Sequence, residues 1–371
     1  MGFLVLAAVV IAAAHYYLWR RLVVDTTRPG RWRRVFTWAV AGIASVLLLT
    51  LTAGRFMDLT WLAWPGYVWV ALMFYLTLIL AVLEIPRLVA RKTVAVDEDR
   101  RRLLGRGVAL AAGVGAATTV GFGIASALGP PEVTRVPIAL PRLDPRVRGL
   151  RIAVVSDIHL GPLTGIGHTE RIVRLINESE ADIVTIVGDL VDGTVAELGD
   201  LARPLADLER PSYFVTGNHE YFTRGGPQQW VDELERLGVR CLRNERVEIT
   251  HGGGVFDLAG INDLGGRAFA EPPDLSRALD GRVPDRAVVL LAHQPVQVGD
   301  AAGHGVDLQL SGHTHGGQLW PFGAVVKAQQ GAVAGLSEVD GTQLFVTRGA
   351  GYWGPPVRVG APPEITVVEL T

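Results

Sequence analysis

Apolar residues run almost unbroken through four stretches at the start of the chain: Phe3–Leu18, Val35–Thr52, Tyr67–Ile85 and Gly107–Leu128. Each is close to the ~20 residues that carry a helix across a ~30 Å hydrocarbon core. After Gly129-Pro130-Pro131 the pattern changes. Short runs rich in β-branched residues now end abruptly at polar ones: Arg151–Ser156 before Asp157, Ile183–Val187 before Gly188-Asp189, and Tyr213–Thr216 before Gly217-Asn218. Val288–Ala292 precedes His293 in the same way, and Leu308–Leu310 precedes Ser311-Gly312-His313. Each run reads as a buried strand whose C-terminal end opens into a loop. Helical patterns lie between them, as at Gly167–Ser179 and Gln228–Leu237. Strands alternating with helices predict an α/β domain, with chemistry expected at the carboxyl ends of the strands. The expected organisation is a transmembrane helical region of about four spans over residues 1–129. A linker or edge strand follows over 130–149, then an α/β domain over 150–371.

Charge refines the membrane half. Residues 1–129 carry 14 Lys/Arg against 6 Asp/Glu, and residues 130–371 carry 21 against 31. Arg20, Arg21, Arg28, Arg31, Arg33 and Arg34 fill the first connection. Arg87, Arg91, Lys92, Arg100, Arg101, Arg102 and Arg106 fill the third, whereas the second has only Arg55. By the positive-inside rule the first and third connections are cytoplasmic, which puts the N-terminus and the α/β domain outside the cytoplasm. Trp61, Trp64 and Trp69 fall where an outer aromatic belt is expected. Asp99-Arg100-Arg101-Arg102-Leu103-Leu104 admits two readings, an ordinary basic flank or a twin-arginine export signal. His15 lies near the end of the first stretch beside Tyr16 and Tyr17 and reads as interfacial. The acidic second half argues against a nucleic-acid partner, which needs clustered Lys/Arg. Cys241 is the sole cysteine, so no intrachain disulfide forms.

The loops carry Asp157-Ile158-His159, Gly188-Asp189, Gly217-Asn218-His219-Glu220, His293 and Gly312-His313-Thr314-His315, in that order. Together they supply the oxygen and imidazole donors that a pair of divalent ions needs. Paired metals about 3.5–4 Å apart are a standard means of cleaving phosphate esters. A bare Gly-Asp says little alone; the ordered set says much more. The motifs Val154-Val155-Ser156-Asp157-Ile158-His159, Val187-Gly188-Asp189-Leu190-Val191-Asp192, Thr216-Gly217-Asn218-His219-Glu220, Leu291-Ala292-His293 and Ser311-Gly312-His313-Thr314-His315-Gly316-Gly317-Gln318 resemble the calcineurin-like metallophosphoesterase superfamily. The likeness is greatest to its membrane-associated bacterial, YkuE-like branch, and it spans Leu150 to the C-terminus.

The resemblance implies a four-layer α/β/β/α sandwich and two divalent metal ions, Mn, Fe or Zn. Asp157, His159, Asp189 and His315 would hold the first ion. Asp189, Asn218, His293 and His313 would hold the second, with Asp189 shared. A hydroxide between the ions would attack phosphorus, and His219 would protonate the leaving oxygen. Asp192 and Glu220 would orient imidazoles from behind. His168, His251 and His304 fall outside the motifs and read as ordinary loop residues. The aromatic loops Leu319-Trp320-Pro321-Phe322 and Gly351-Tyr352-Trp353-Gly354 read as lipid-touching or, by preference, as packed on one another. The tail through Glu364-Ile365 is expected to give the last strand. The expected function is a membrane-anchored phosphoesterase acting on phosphomono- or phosphodiesters of membrane lipids or the cell envelope. The alternative is a catalytically silent membrane protein that uses the same domain to bind a ligand or partner.

Overall fold

The computed structural model describes residues 2–52, 60–93 and 97–371; Arg55, expected on the second connection, lies outside them. The chain divides into two compact units, Met1–Ala125 with Gly354–Val359, and Ser126–Trp353 with Gly360–Thr371.

The first unit is helical: α1 (Gly2–Leu18), α2 (Arg31–Thr52), α3 (Ala63–Thr93) and α4, which begins at Glu98 and runs to Leu128. Three of these, over Arg31–Leu51, Ala63–Pro86 and Glu98–Leu128, are long and apolar enough to cross a membrane. The remaining one of the four expected spans falls on α1. Helix α1 has 17 residues, which reach about 26 Å. The chain then continues as a π-helical turn, Trp19–Val24, that brings in Arg20 and Arg21. Arg21 is held by Asp25 at 2.6 Å and by Glu84 of α3. His15 is buried within this unit. Its Nδ1 lies 2.8 Å from the Ile11 carbonyl, and its Nε2 accepts from Trp69 Nε1 at 3.0 Å. So Trp69 pairs with α1, while Trp61 and Trp64 are exposed. The basic starts of α2 and α4 adjoin: Arg28 meets Asp99 at 2.7 Å, and Arg106 Nε donates to the Thr26 carbonyl at 2.9 Å. Val357 and Val359 pack on Gly123 of α4, where the Arg358 amide donates to the Gly123 carbonyl at 2.9 Å.

The second unit contains two six-stranded sheets. Sheet 1 is built from β1 (Glu132–Ile138), β2 (Arg151–Val155), β3 (Ile183–Val187), β4 (Ser212–Val215) and β5 (Val239–Cys241). Sheet 2 uses β6 (Glu245–His251), β7 (Gly254–Gly260), β8 (Val288–Leu291), β9 (Leu308–Ser311), β10 (Gly335–Val339) and β11 (Thr342–Val346). The last strand, β12 (Glu364–Leu370), returns to sheet 1 between β1 and β2. In the stretch expected as linker or edge strand, β1 is the edge strand, running parallel to β12.

Strand alternation separates the layers. Ile152, Val154, Ile183 and Val187 face Phe256, Val289, Leu291 and Leu308 between the sheets. Ala153, Val155, Val184 and Ile186 face outward. There they meet Ile172 and Ile176 of α5 (Ile166–Glu178), Leu198 of α6 (Val195–Ala202), and Trp230 and Leu234 of the helix Gln228–Arg236. On the far side Val288 and Leu290 meet the short helices Leu275–Ala278 and Val298–Gly303. The result is the expected four-layer α/β/β/α sandwich. Register brings the strand ends together. Val155 lies opposite Ile186 and Ile186 opposite Phe214, so β2, β3 and β4 end side by side. In sheet 2, Leu290 lies opposite Gln309, so β8 and β9 end together.

Candidate metal centre

The loops leaving these five strand ends turn sharply. Asp157 (φ 54°), His159 (49°), Asp189 (51°), His313 (69°) and His315 (51°) all adopt left-handed backbone. Asp and His tolerate this region better than most residues, at a cost of about 1–3 kcal/mol each. After β2, β3 and β9 these turns end the extended backbone at once and hold the side chains at the strand ends. Gly312 allows a further close approach. A Cβ there would collide with Ser156 Oγ and Asp157 Oδ2, and one at Gly217 would collide with Asp189 Oδ1.

The side chains form three overlapping groups whose donor atoms lie within 4.8 Å of one another: Asp157–His159–His315, His159–Asp189–His219 and Asp189–His293–His313. In the first, His315 Nε2 is 3.4 Å from Asp157 Oδ1 and 3.1 Å from His159 Nε2. In the third, His293 Nε2 is 3.1 Å from Asp189 Oδ2, with the His293 and His313 rings edge to face at 5.1 Å. Asp189 Oδ2 is also 3.9 Å from both His159 Nε2 and His219 Nε2. One carboxylate therefore belongs to two of the groups.

Neighbours aim these rings. His293 Nδ1 faces the Val187 carbonyl at 2.7 Å, which turns Nε2 toward Asp189. His159 Nδ1 and His219 Nδ1 both reach Asp192 Oδ1, at 3.0 and 2.6 Å. Fixing one ring nitrogen sets what the other can do. Glu220 is fully buried and accepts from three backbone amides: Gly217 at 2.6 Å, Leu190 at 2.8 Å and Asp189 at 3.1 Å. It ties the Asp189 loop to the Asn218 loop. Asn218 opens the short helix α7 (Asn218–Phe222), counted after α5 and α6.

The electrostatics are those of a crowded, dry pocket. Burial pulls the His219 imidazole down, but the Asp189 carboxylate and the Asp192 hydrogen bond outweigh it and hold it up at about 9. His293 is likewise driven well up against burial, chiefly by Asp189. Burial, then the charge of His293, pushes His313 down to about 3. Burial raises Asp157; burial and then Asp189 push Glu220 up to about 7. Asp189 is lowered despite burial by His293 and His219, and Asp192 is lowered despite burial by His159.

The donor set fits metal. Asn218 Oδ1 and His313 Nδ1 are buried without a hydrogen-bond partner. Such orphaned atoms are costly unless something binds them. His313 groups with Asp189 and His293, and Asn218 precedes His219, whose amide donates to Asp189 Oδ1 at 2.8 Å. Carboxylate, amide and imidazole donors suit Mn, Fe or Zn.

Of the three histidines outside the motifs, His168 and His251 depart from the loop reading and His304 keeps to it. His168 sits in the first turn of α5, with Nε2 buried and unpartnered, and burial lowers it to about 4. His251 closes β6, and His304 follows the helix Val298–Gly303. A bracing loop went unread. The Ala350 amide donates to the Ser156 carbonyl and the Gly351 amide to the Asp157 carbonyl, both at 2.9 Å. Its only sequence signal is the Gly349-Ala350-Gly351 run. The aromatic loops are not packed away: Trp320 and Trp353 are 67% and 57% exposed.

Clustered carboxylates, amide and imidazoles that share one carboxylate, at the strand ends of an α/β/β/α sandwich, define a metallohydrolase-type centre. The chain belongs to the calcineurin-like phosphoesterase family. The family profile matches residues 150–317. The metallophosphoesterase YkuE of Bacillus subtilis is 31% identical over 285 residues, which cover 73% of this chain and 97% of YkuE. A metallophosphoesterase of Aquifex aeolicus is 35% identical over 61% of this chain and 87% of its own. A Danio rerio protein named "Transmembrane protein with metallophosphoesterase domain" is 38% identical over 67% of this chain. A Bos taurus protein of the same name is also 38% identical. The chain spans 59% and 64% of the length of these two vertebrate relatives.

Proposed function

We propose that this chain is a membrane-anchored, dinuclear-metal phosphoesterase. The observation that carries the reading is the shared carboxylate. Asp189 Oδ2 stands 3.1 Å from His293 Nε2 on one side and 3.9 Å from His159 Nε2 on the other. Asp157, His159, Asp189 and His315 would hold one ion, and Asp189, Asn218, His293 and His313 would hold the second. When bound, the two ions supply Lewis acidity and lower the pKa of water.

The remaining chemistry belongs to the chain. A water oxygen takes the place of the leaving oxygen on phosphorus, and the P–O bond to the leaving group breaks. His219, held by Asp192, delivers a proton to the departing oxygen. Glu220 keeps the Asp189 and Asn218 loops in register. Mn, Fe and Zn all suit the donors. The test is turnover. Full-length protein in detergent, loaded with manganese, is expected to hydrolyse bis(p-nitrophenyl) phosphate or p-nitrophenyl phosphate. Absence of turnover with Mn, Fe and Zn each demonstrably bound would leave a ligand-binding module instead.

The α/β domain lies outside the cytoplasm in this reading. The basic start of α2 and the basic start of α4 share one side, and α4 leads out. This holds whether or not α1 spans. It makes phosphoesters of membrane lipids or the envelope the favoured substrates over soluble nucleotides, and nucleic acid an unexpected one. A Ser337→Cys reporter on exposed β10, in a Cys241→Ser background, is expected to react with an impermeant thiol reagent on intact cells. Labelling only after lysis would reverse the orientation.

A further inference from the structure

The aromatic side chains next to His219 have no part in holding metal. Phe222 stands edge to face with the His219 ring at 5.4 Å and 62°, and Trp353 does so at 6.0 Å and 77°. Both are large rings left mostly in solvent, 59% and 57% exposed. A pair of exposed apolar rings beside a reactive group is a binding feature more often than a packing one. Trp353 is also held in place. Gln318 Nε2 donates to its carbonyl at 2.9 Å, and its amide donates to Gln318 Oε1 at 3.1 Å. Gln318 is three residues past the ligand His315 and adopts a left-handed backbone, φ 48°. The loop that supplies the last ligand thus also fixes the tryptophan.

We infer that Phe222 and Trp353 form the leaving-group subsite and select a phosphoester whose leaving alcohol carries a hydrocarbon chain. The inference rests on the phosphoesterase reading and gives it a substrate class. His219 is the group assigned to the leaving oxygen, so whatever flanks His219 flanks the leaving group. Two rings set edge-on to the imidazole offer mostly apolar surface and no charge, and burying hydrocarbon there is favourable. The chain favours hydrocarbon over a nucleobase. Trp353 runs directly into Gly354–Val359, which packs within the unit that carries the apolar helices. Trp353 is thus followed directly in the chain by a segment that packs on Gly123 of the apolar helix α4, and this setting favours a leaving group that carries hydrocarbon.

Decyl phosphate and methyl phosphate have leaving alcohols of similar acidity, so the ratio of their kcat/KM values reads the subsite rather than the chemistry. With the manganese-loaded full chain that ratio is expected to exceed about 30, and to fall at least about tenfold in Trp353→Ala and in Phe222→Ala. Trp353→Phe is expected to restore most of it. Metal content and thermal midpoint, read in parallel, separate a lost subsite from a lost fold. A ratio that neither variant moves, in proteins that keep their metal, overturns the inference and leaves the phosphoesterase reading intact. A selective fall in the ratio of adenosine monophosphate to methyl phosphate overturns it in favour of base stacking. No turnover of any ester sinks both.

Discussion

The two sheets meet at the metal centre with different chemistry. Sheet 1 contributes every oxygen donor, Asp157, Asp189 and Asn218, together with His159 and His219, from the ends of β2, β3 and β4. Sheet 2 contributes imidazoles alone: His293 from the end of β8, and His313 and His315 from the end of β9. Neither sheet builds a complete group for the second ion. The contacts that cross are short: His293 to Asp189 at 3.1 Å, His315 to Asp157 at 3.4 Å, and the His313 amide to Asp157 Oδ2 at 3.0 Å. The centre is therefore also a clasp between layers. The carboxylates all come from sheet 1, and in the proposed reading bound cations would complete the closure of the two sheets.

Breaking the shared carboxylate should have the largest effect. Asp189→Ala is expected to lose both ions and bring phosphodiester turnover to background, read by metal analysis and aryl-phosphate hydrolysis. Two ions retained with full turnover would remove Asp189 from the bridge. Next comes His219, on sheet 1 but assigned to proton transfer. His219→Ala is expected to keep both ions and lose rate by roughly 10²–10⁴-fold. Loss of metal in that variant would make His219 a ligand instead. The smallest effect falls on the tie within sheet 1. Glu220→Ala strands three backbone amides that the carboxylate now satisfies. A cost of about 2–4 kcal/mol in stability is expected from thermal unfolding. An unchanged midpoint would mean that water replaces the carboxylate without penalty.

The difference between the sheets also governs what could be read in the sequence. The central strands announce themselves. Ile183–Val187 is a fully buried five-residue run, and each such run stops at a polar loop, because a strand covered on both faces is mostly apolar along its whole length. The ligands stand out for the same reason. Edges were not legible. β5 alternates as Val-Arg-Cys but has only three residues, and β10 reads Gly-Leu-Ser-Glu-Val with its centre exposed and no period-two pattern; their pairing is decided by distant partners. The expected stretch Phe3–Leu18 matches helix α1, but the pairing of Arg20 with Asp25, and of Arg21 with Asp25 and Glu84, just beyond it depends on packing that has no local signal. The destination of Gly354–Val359 in the helical unit has no local signature, since Pro-rich segments take whatever path their flanks impose. Asp192 is legible as a residue behind the imidazoles, but that its one oxygen meets both His159 and His219 depends on positions 33 and 27 residues apart.

The central claim is that one carboxylate of sheet 1 joins two metal ions held by both sheets. Manganese bound to the full-length chain tests it directly, because two Mn(II) ions sharing a carboxylate are exchange-coupled and give an electron paramagnetic resonance spectrum unlike that of isolated ions. Two ions per chain are expected, with a coupled spectrum that disappears in Asp189→Ala. One ion per chain, or two with the spectrum of isolated Mn(II), would contradict it.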